Sequence, residues 1–158
     1  MNTDRPVRRR PSEKSVLSRY NRSDIIFVTV CTHHRIPVLA TKRATRAIED
    51  SWELADHWLV GKYVVMEDHV HFFCTPNCLD ADFANWMAYW KRLVTQRMPD
   101  RSGKLWQSGH WDTQMRTGKA YDEKWEYIRN NPVRRGLADA PEDWPFACEM
   151  NPLEWHGP

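Results

Sequence analysis

The segment Tyr63–Cys74 constrains the fold more than any other part of the chain. It consists of two apolar, β-favouring runs that are separated only by Glu67 and Asp68. Such a short connection predicts an antiparallel β-hairpin, although this turn lacks the usual glycine. In the second run, His69 and His71 alternate with apolar residues. Because successive strand residues point to opposite faces, we expect both imidazoles on one face and the apolar side chains on the other.

The rest of the pattern alternates strands with amphipathic helices. Apolar periodicity and helix-capping residues predict, in chain order, a strand at 25–30, a helix at 41–57, strands at 58–66 and 69–74, a helix at 82–98, a strand within 105–115 and a helix at 120–130. This order predicts an α+β, ferredoxin-like βαββαβ antiparallel sheet with an additional C-terminal helix. We expect the first two helices to cover one face and the third helix to cover the face with the histidines.

Length and composition favour a single domain without a membrane span. The chain has 158 residues and nine tryptophans, which can build a substantial core. Its apolar runs are far shorter than a bilayer span, and its first residues lack the apolar stretch of a signal peptide, so we expect a cytoplasmic protein. The four cysteines are expected to be free thiols. We divide the chain into an arm at 1–22, a domain at 23–137 and a C-terminal tail at 138–158.

The arm is strongly basic, whereas the remainder of the chain is mildly acidic. Residues 1–22 hold seven basic and two acidic side chains, and the basic ones include Arg5, Arg8, Arg9 and Arg10. Arginine neutralises phosphates and releases their counterions, so the arm is a candidate DNA-binding segment. A solvated, disordered tail is an equally good interpretation of charge alone.

Two neutral imidazoles side by side on a strand are two thirds of a divalent-metal site. On the predicted third helix, Glu123, Tyr127 and Asn131 recur every four residues and therefore share one stripe. A phenol has a pKa of about 10, so it needs help from a cation to attack a phosphodiester at neutral pH. Asn131 could supply a third, oxygen ligand. The alternative is that the histidines and the tyrosine are packing residues.

Taken together, these segments resemble a known family. Tyr63–Cys74 resembles the HUH motif (histidine-hydrophobe-histidine) of single-tyrosine transposases, and residues 125–137 resemble the tyrosine helix of the same group. Residues 105–107 and 141–145 are similar to flanking segments of that group. The subgroup that the chain most resembles is the REP-associated tyrosine transposases, which are relatives of the insertion-sequence-200-like transposases.

This resemblance implies a metal-dependent single-stranded DNA endonuclease and strand transferase. It would cleave and rejoin DNA at palindromic REP-type hairpins through a covalent 5′-phosphotyrosine on Tyr127. His69, His71 and Asn131 would bind Mg²⁺ or Mn²⁺, although the insertion-sequence relatives usually have glutamine in place of Asn131. The resemblance further implies a bacterial, nucleoid-associated protein that is a monomer rather than a homodimer.

Several assignments have alternatives. Arg134 and Arg135 follow the tyrosine helix and could clamp the DNA backbone, or they could be solvated surface charges. His110 and Asp112 share one face of the predicted fourth strand and could lie beside the metal site, in contact with the metal-binding side chains. The main alternative function is a catalytically silent hairpin-binding protein on the same fold. A metal hydrolase without a covalent step would need a water-activating base, which the sequence does not provide.

Overall fold

The computed structural model describes residues 24–98, 101 and 103–157 as an antiparallel sheet with helices on both faces. The arginines at 5, 8, 9 and 10 lie outside these residues. The elements are β1 Ile26–Cys31, α1 Lys42–Leu54, β2 Trp58–Val65, β3 His69–Pro76, α2 Phe83–Gln96, β4 Trp111–Gln114, α3 Gly118–Arg129, α4 Asn131–Arg134 and β5 Ala147–Glu149, with 3-10 turns at His33–Arg35 and Pro141–Asp143. The strand order is β4-β1-β3-β2-β5. The first four strands and two helices confirm the predicted ferredoxin-like arrangement.

The β2–β3 hairpin forms where the sequence predicts it. Val65 pairs with Val70 across the two strands, and Glu67 and Asp68 make the connection. The turn has no glycine, but the β1–α1 loop stabilises it by donating backbone hydrogen bonds to the turn carbonyls. The amide of Thr32 donates to the carbonyl of Asp68 over 2.9 Å. The amide of Leu39 donates to the carbonyl of Glu67, also over 2.9 Å. The turn is therefore anchored to the end of β1.

The face opposite the histidines packs under α1 and α2. The side chains of Thr41 and Asp82 cap these helices, as their positions in the sequence predict. The two helices contact each other through Trp52 and Trp90, whose rings stack 5.4 Å apart. Phe72, from β3, lies beneath both tryptophans. Large aromatic areas are thus buried in one continuous core.

The second face carries the histidines and a smaller core beneath α3. Tyr121 and Ile128 are the buried residues of α3, and Tyr121 contacts Phe73 with ring centroids 4.7 Å apart. Val64 and Met66 complete this core from the sheet. The predicted division of the faces is confirmed, so α3 lies over the face from which His69 and His71 project.

The C-terminal segment adds a fifth strand that sequence reasoning missed. β5 pairs with β2 at the sheet edge, and Trp144 donates its indole N–H to the carbonyl of Val65 over 2.9 Å. Trp155 packs so close to Gly118 that a Cβ there would lie 3.2 Å from its ring. Trp144, Ala147, Leu153 and Trp155 thus pack against the second core, whereas Phe146 and Met150 pack against the first. Among the described residues, no helix has the length and apolarity that a bilayer crossing requires.

Candidate active site

The two histidines of β3 lie side by side near the centre of the sheet. The ring centroids of His69 and His71 are 4.6 Å apart, and the rings are close to perpendicular. His69 is only 3% exposed. His71 also stacks on Phe27 from β1, with centroids 5.4 Å apart. Neighbouring strands and the ring of Phe27 therefore fix the imidazoles before any ligand arrives.

Each imidazole uses its Nδ1 atom for a hydrogen bond within the protein. His69 Nδ1 lies 2.7 Å from Asp68 Oδ1, and His71 Nδ1 lies 2.8 Å from Thr29 Oγ1. An ionised carboxylate only accepts, so His69 must donate from Nδ1 and keep a lone pair on Nε2. His71 has the same tautomer when its Nδ1–H donates to the hydroxyl of Thr29. Both Nε2 atoms are then free to act as metal ligands.

The electrostatics keep the imidazoles neutral and Asp68 ionised. Burial lowers the pKa of His69, and burial together with the neighbouring His69 and Lys124 lowers the pKa of His71 well below its usual value. Burial opposes ionisation of Asp68, but hydrogen bonds from His69 and Arg35 outweigh it and hold the pKa of this carboxyl well below its usual range. Neutral imidazoles are the form that binds a metal ion.

The junction between α3 and α4 places Asn131 beside the histidines. α3 ends at Arg129, as the following Pro132 predicts, and a new short helix begins at Asn131. The side-chain Nδ2 of Asn131 lies 3.4 Å from Nε2 of His69. A half-turn of the amide places Oδ1 at the same position, because the two atoms are nearly isosteric. Asn131 is therefore placed to contribute an oxygen next to the imidazole lone pairs.

The two imidazole nitrogens of the donor set favour Mn²⁺ over Mg²⁺, whereas water or phosphate oxygens at the remaining positions suit both ions. Among residues 24–98, 101 and 103–157, no group of three His, Cys, Asp or Glu side chains forms a metal cage. His69, His71 and Asn131 offer two nitrogens and one oxygen, which leaves positions for other ligands. Mg²⁺ and Mn²⁺ prefer six-coordinate geometry and bind phosphate oxygens in this way. The residues present therefore fit the expected metal.

Tyr127, on α3, lies one helical turn before Asn131, the first residue of α4, and is 62% exposed. The guanidinium of Arg134 stacks on the tyrosine ring, 3.9 Å from its centroid. No described residue forms a hydrogen bond with the phenol, so the hydroxyl is available. Tyr121 differs, because it is buried against Phe73 and burial raises its pKa to about 12.

Arg135 lies at the rim of the same site. Its Nη1 is 4.0 Å from Asp68 Oδ1, and its side chain is about half exposed. Together with Met66, Glu67 and Leu137 it lines a shallow pocket of about 210 Å³. Arg134 and Arg135 therefore place two positive charges beside the tyrosine and the histidines.

The structure excludes the alternative in which His110 and Asp112 support the metal site. Asp112 pairs with Val28 of β1, whose side chain lies in the core beneath α1 and α2. The ring of His110 contacts Phe83 of α2 at 5.3 Å. His110 Nε2 and Asp112 Oδ2 lie 3.0 Å apart. This pair lies on the opposite face of the sheet.

Sequence reasoning also missed the groups that do support the histidines. The sequence indicates the Glu67–Asp68 pair as a turn that brings an extra carboxylate near the phosphate path or the metal, but not Asp68 as the partner of His69, and it does not point to Thr29 or Arg35. Only the β1–β3 register, in which Thr29 lies opposite His71, could have pointed to Thr29.

The fold and the site together define a ferredoxin-like domain that carries a pair of histidines on β3 and an exposed tyrosine on α3. The chain is similar to the REP-associated tyrosine transposase of Escherichia coli K12, with 29% identity over 105 residues that cover 62% of each chain. It is 26% identical over 112 residues to a Haemophilus influenzae protein provisionally given the same description, covering 59% of this chain and 64% of the relative. The chain thus spans slightly less than two thirds of the length of these curated relatives.

The structural comparison extends further along the chain. A solved structure of a REP-associated tyrosine transposase bound to a REP hairpin matches with a TM-score of 0.69 and 25% identity, over 90% of this chain and 91% of the other. No protein-family profile matches the sequence. The resemblance to REP-associated tyrosine transposases that the sequence indicated is confirmed in both sequence and structure.

Proposed function

We propose that the protein is a metal-dependent, single-stranded DNA endonuclease and strand transferase that cleaves and rejoins DNA at palindromic REP-type hairpins. One observation carries the proposal: Asn131 lies against His69, and one helical turn earlier the same helical segment presents the exposed phenol of Tyr127. This arrangement combines a candidate nucleophile with a set of metal-ligating groups. The hairpin-bound REP-associated transposase of similar structure supports the substrate class.

The chemistry is a pair of transesterifications. The hydroxyl of Tyr127 attacks the phosphorus, the P–O3′ bond breaks, the phenolic proton passes to solvent and the departing O3′ atom is protonated. The tyrosine is then joined to the 5′ phosphate and a 3′ hydroxyl is released. Attack of another 3′ hydroxyl on the phosphotyrosine reverses the step and joins two strands. When bound, Mg²⁺ or Mn²⁺ would stabilise the negative charge on the phosphate oxygens.

The direct test is incubation with hairpin oligonucleotides from the host genome in the presence of Mn²⁺. A covalent protein–DNA band on a denaturing gel, with release of a 3′ hydroxyl fragment, is the expected result. Hairpin binding without any adduct would instead identify a silent DNA-binding protein. We further propose that the protein acts as a monomer in the bacterial cytoplasm, in association with the nucleoid.

Asn131 should be needed for its oxygen and not for its size. We expect Asn131→Ala to weaken Mn²⁺ binding by about tenfold, because one of three protein ligands is lost. Asn131→Asp should retain or strengthen binding, because a carboxylate is a better ligand for a hard cation. Calorimetric titration of Mn²⁺ into each variant measures both effects. Equal affinity of the alanine variant and the unaltered protein would remove Asn131 from the ligand set.

The basic arm should contribute electrostatic affinity for DNA. We expect deletion of residues 1–22 to weaken hairpin binding and to flatten its dependence on salt, because fewer counterions are released from the phosphates. Fluorescence anisotropy across a salt series provides the measurement. The variant in which only Arg5, Arg8, Arg9 and Arg10 are replaced by glutamine separates charge from chain length. An unchanged salt slope in both variants would exclude a DNA role for the arm.

A further inference from the structure

A chain of short polar contacts runs from the β1–α1 loop to the histidine pair. Arg35 Nε donates to Asp68 Oδ2 over 2.8 Å, and Asp68 Oδ1 accepts from His69 Nδ1 over 2.7 Å. The carboxylate of Asp68 thus bridges a guanidinium and an imidazole with different oxygens. Asp68 and His69 are largely buried, whereas Arg35 is about half exposed. Such a bridge fixes the direction of the carboxylate and, through it, the imidazole.

We propose that Asp68 and Arg35 are positioning residues, which hold His69 in the tautomer that directs the Nε2 lone pair towards Asn131. The inference rests on the proposed function, since that lone pair matters only if His69 binds a metal ion. Without an acceptor at Nδ1, the proton of a neutral imidazole could move to Nε2. His69 would then present an N–H to the site and could not act as a ligand.

The backbone of the loop supports this assignment. His34 and Arg35 both have left-handed backbone conformations, with φ of 55° and 56°. Residues other than glycine rarely adopt such conformations. Such strain persists only where the surrounding contacts enforce it, and it concentrates at functional sites. Here the contacts are local. The amide of Arg35 donates to the carbonyl of Thr32, and the single hydroxyl hydrogen of Thr32 is shared between the carbonyls of Ile36 and Asp68.

A further contact holds the far end of the guanidinium. Arg35 Nη1 lies 3.0 Å from the sulfur of Cys31, at the end of β1. Cys31 pairs with His69 across β1 and β3. Arg35 therefore connects Cys31 at the end of β1 to Asp68, and Asp68 in turn contacts His69 at the start of β3. A lysine at position 35 could keep the charge, but its single ammonium group could not reproduce the planar two-sided contact.

The test uses variants that separate the hydrogen bond from the charge. Asp68→Ala removes both. Asp68→Asn retains an oxygen that can accept from His69, but its NH₂ group then opposes the N–H of Arg35. The Arg35→Gln/Asp68→Asn double variant replaces this conflict with an amide–amide contact. Asp50→Ala breaks the exposed Arg46–Asp50 pair of α1, at 3.4 Å, and is the matched control.

The first readout is the tautomer of His69 in the metal-free protein, measured by long-range ¹H–¹⁵N correlation. We expect the Nδ1–H form in the unaltered protein and in the control, and a mixture with the Nε2–H form in Asp68→Ala. The second readout is Mn²⁺ affinity, which we expect to fall about 10–100-fold in Asp68→Ala. The double variant should recover more affinity than Asp68→Asn alone.

The two readouts separate this inference from the proposed function. If the unaltered protein fails to bind Mn²⁺ but its tautomer still depends on Asp68, the metal site is wrong and the positioning role survives. If Asp68→Ala retains both the Nδ1–H tautomer and full Mn²⁺ affinity, the positioning role is wrong. Circular dichroism verifies that each variant folds. If Asp68→Ala is unfolded, unchanged Mn²⁺ affinity in Asp68→Asn and in the double variant would overturn the role of Arg35.

Discussion

Replacement of Tyr127 by phenylalanine should abolish the covalent adduct and strand cleavage while leaving hairpin binding nearly unchanged. The substitution removes one oxygen from a side chain that is 62% exposed, so the second core is not disturbed. The aromatic ring remains available to stack beneath Arg134. No bond to phosphorus can form without the hydroxyl, and we expect cleavage to fall by on the order of 10⁴-fold or more. Adduct formation on denaturing gels and binding by anisotropy measure the two effects.

The chain offers a matched control for this experiment. Tyr89 on α2 is also exposed, at 39%, and Arg92 lies over its ring at 5.4 Å. Tyr89→Phe therefore removes the same atom from a similar environment on the opposite side of the molecule. Its cleavage activity should equal that of the unaltered protein. Nicking by Tyr127→Phe at the rate of the unaltered protein would mean that another group, or water, attacks the phosphate.

The sequence could predict the sheet and the distribution of its faces because these depend on short-range periodicity. Alternation along β3 separates the two histidines from Val70 and Phe72, and the structure places the two sets on opposite faces. The caps at Thr41 and Asp82 are likewise local signals. Strand β5 could not be predicted, because three residues between tryptophan- and proline-rich segments show no period. It forms a strand because the backbone groups at the edge of β2 provide hydrogen-bond partners for it.

The features of the site also divide into those that the sequence predicts and those that only the structure shows. The sequence shows that Tyr127 and Asn131 recur at helical spacing and that the helix ends before Pro132. It does not show that Asn131 begins a second short helix and contacts His69. Hydrogen bonds to the Nδ1 atoms depend on strand register and on side-chain rotamers, neither of which has a sequence period. Thr29 and Asp68 were therefore found only in the structure.

Removal of the metal or of a histidine should be almost as damaging as loss of the tyrosine. We expect the unaltered protein to form no adduct in the presence of a chelator and to recover activity when Mn²⁺ is added. His71→Gln should reduce cleavage at saturating DNA by on the order of 10²–10³-fold. It removes a ligand of the metal ion that would stabilise the negative charge developing on the phosphate. Glutamine retains a polar group for Thr29, whose hydroxyl otherwise loses its 2.8 Å partner.

The control for this substitution is His57, an exposed histidine in the connection between α1 and β2. It lies outside β3 and outside the loop that holds Arg35. Its replacement by glutamine should leave the Mn²⁺ requirement unchanged. Hairpin binding should persist in His71→Gln, because the phosphate contacts proposed for the rim arginines and the arm do not require the metal. A chelator-resistant enzyme, or equal Mn²⁺ dependence of His71→Gln and the unaltered protein, would separate the histidine pair from catalysis and leave a DNA-binding role for this face.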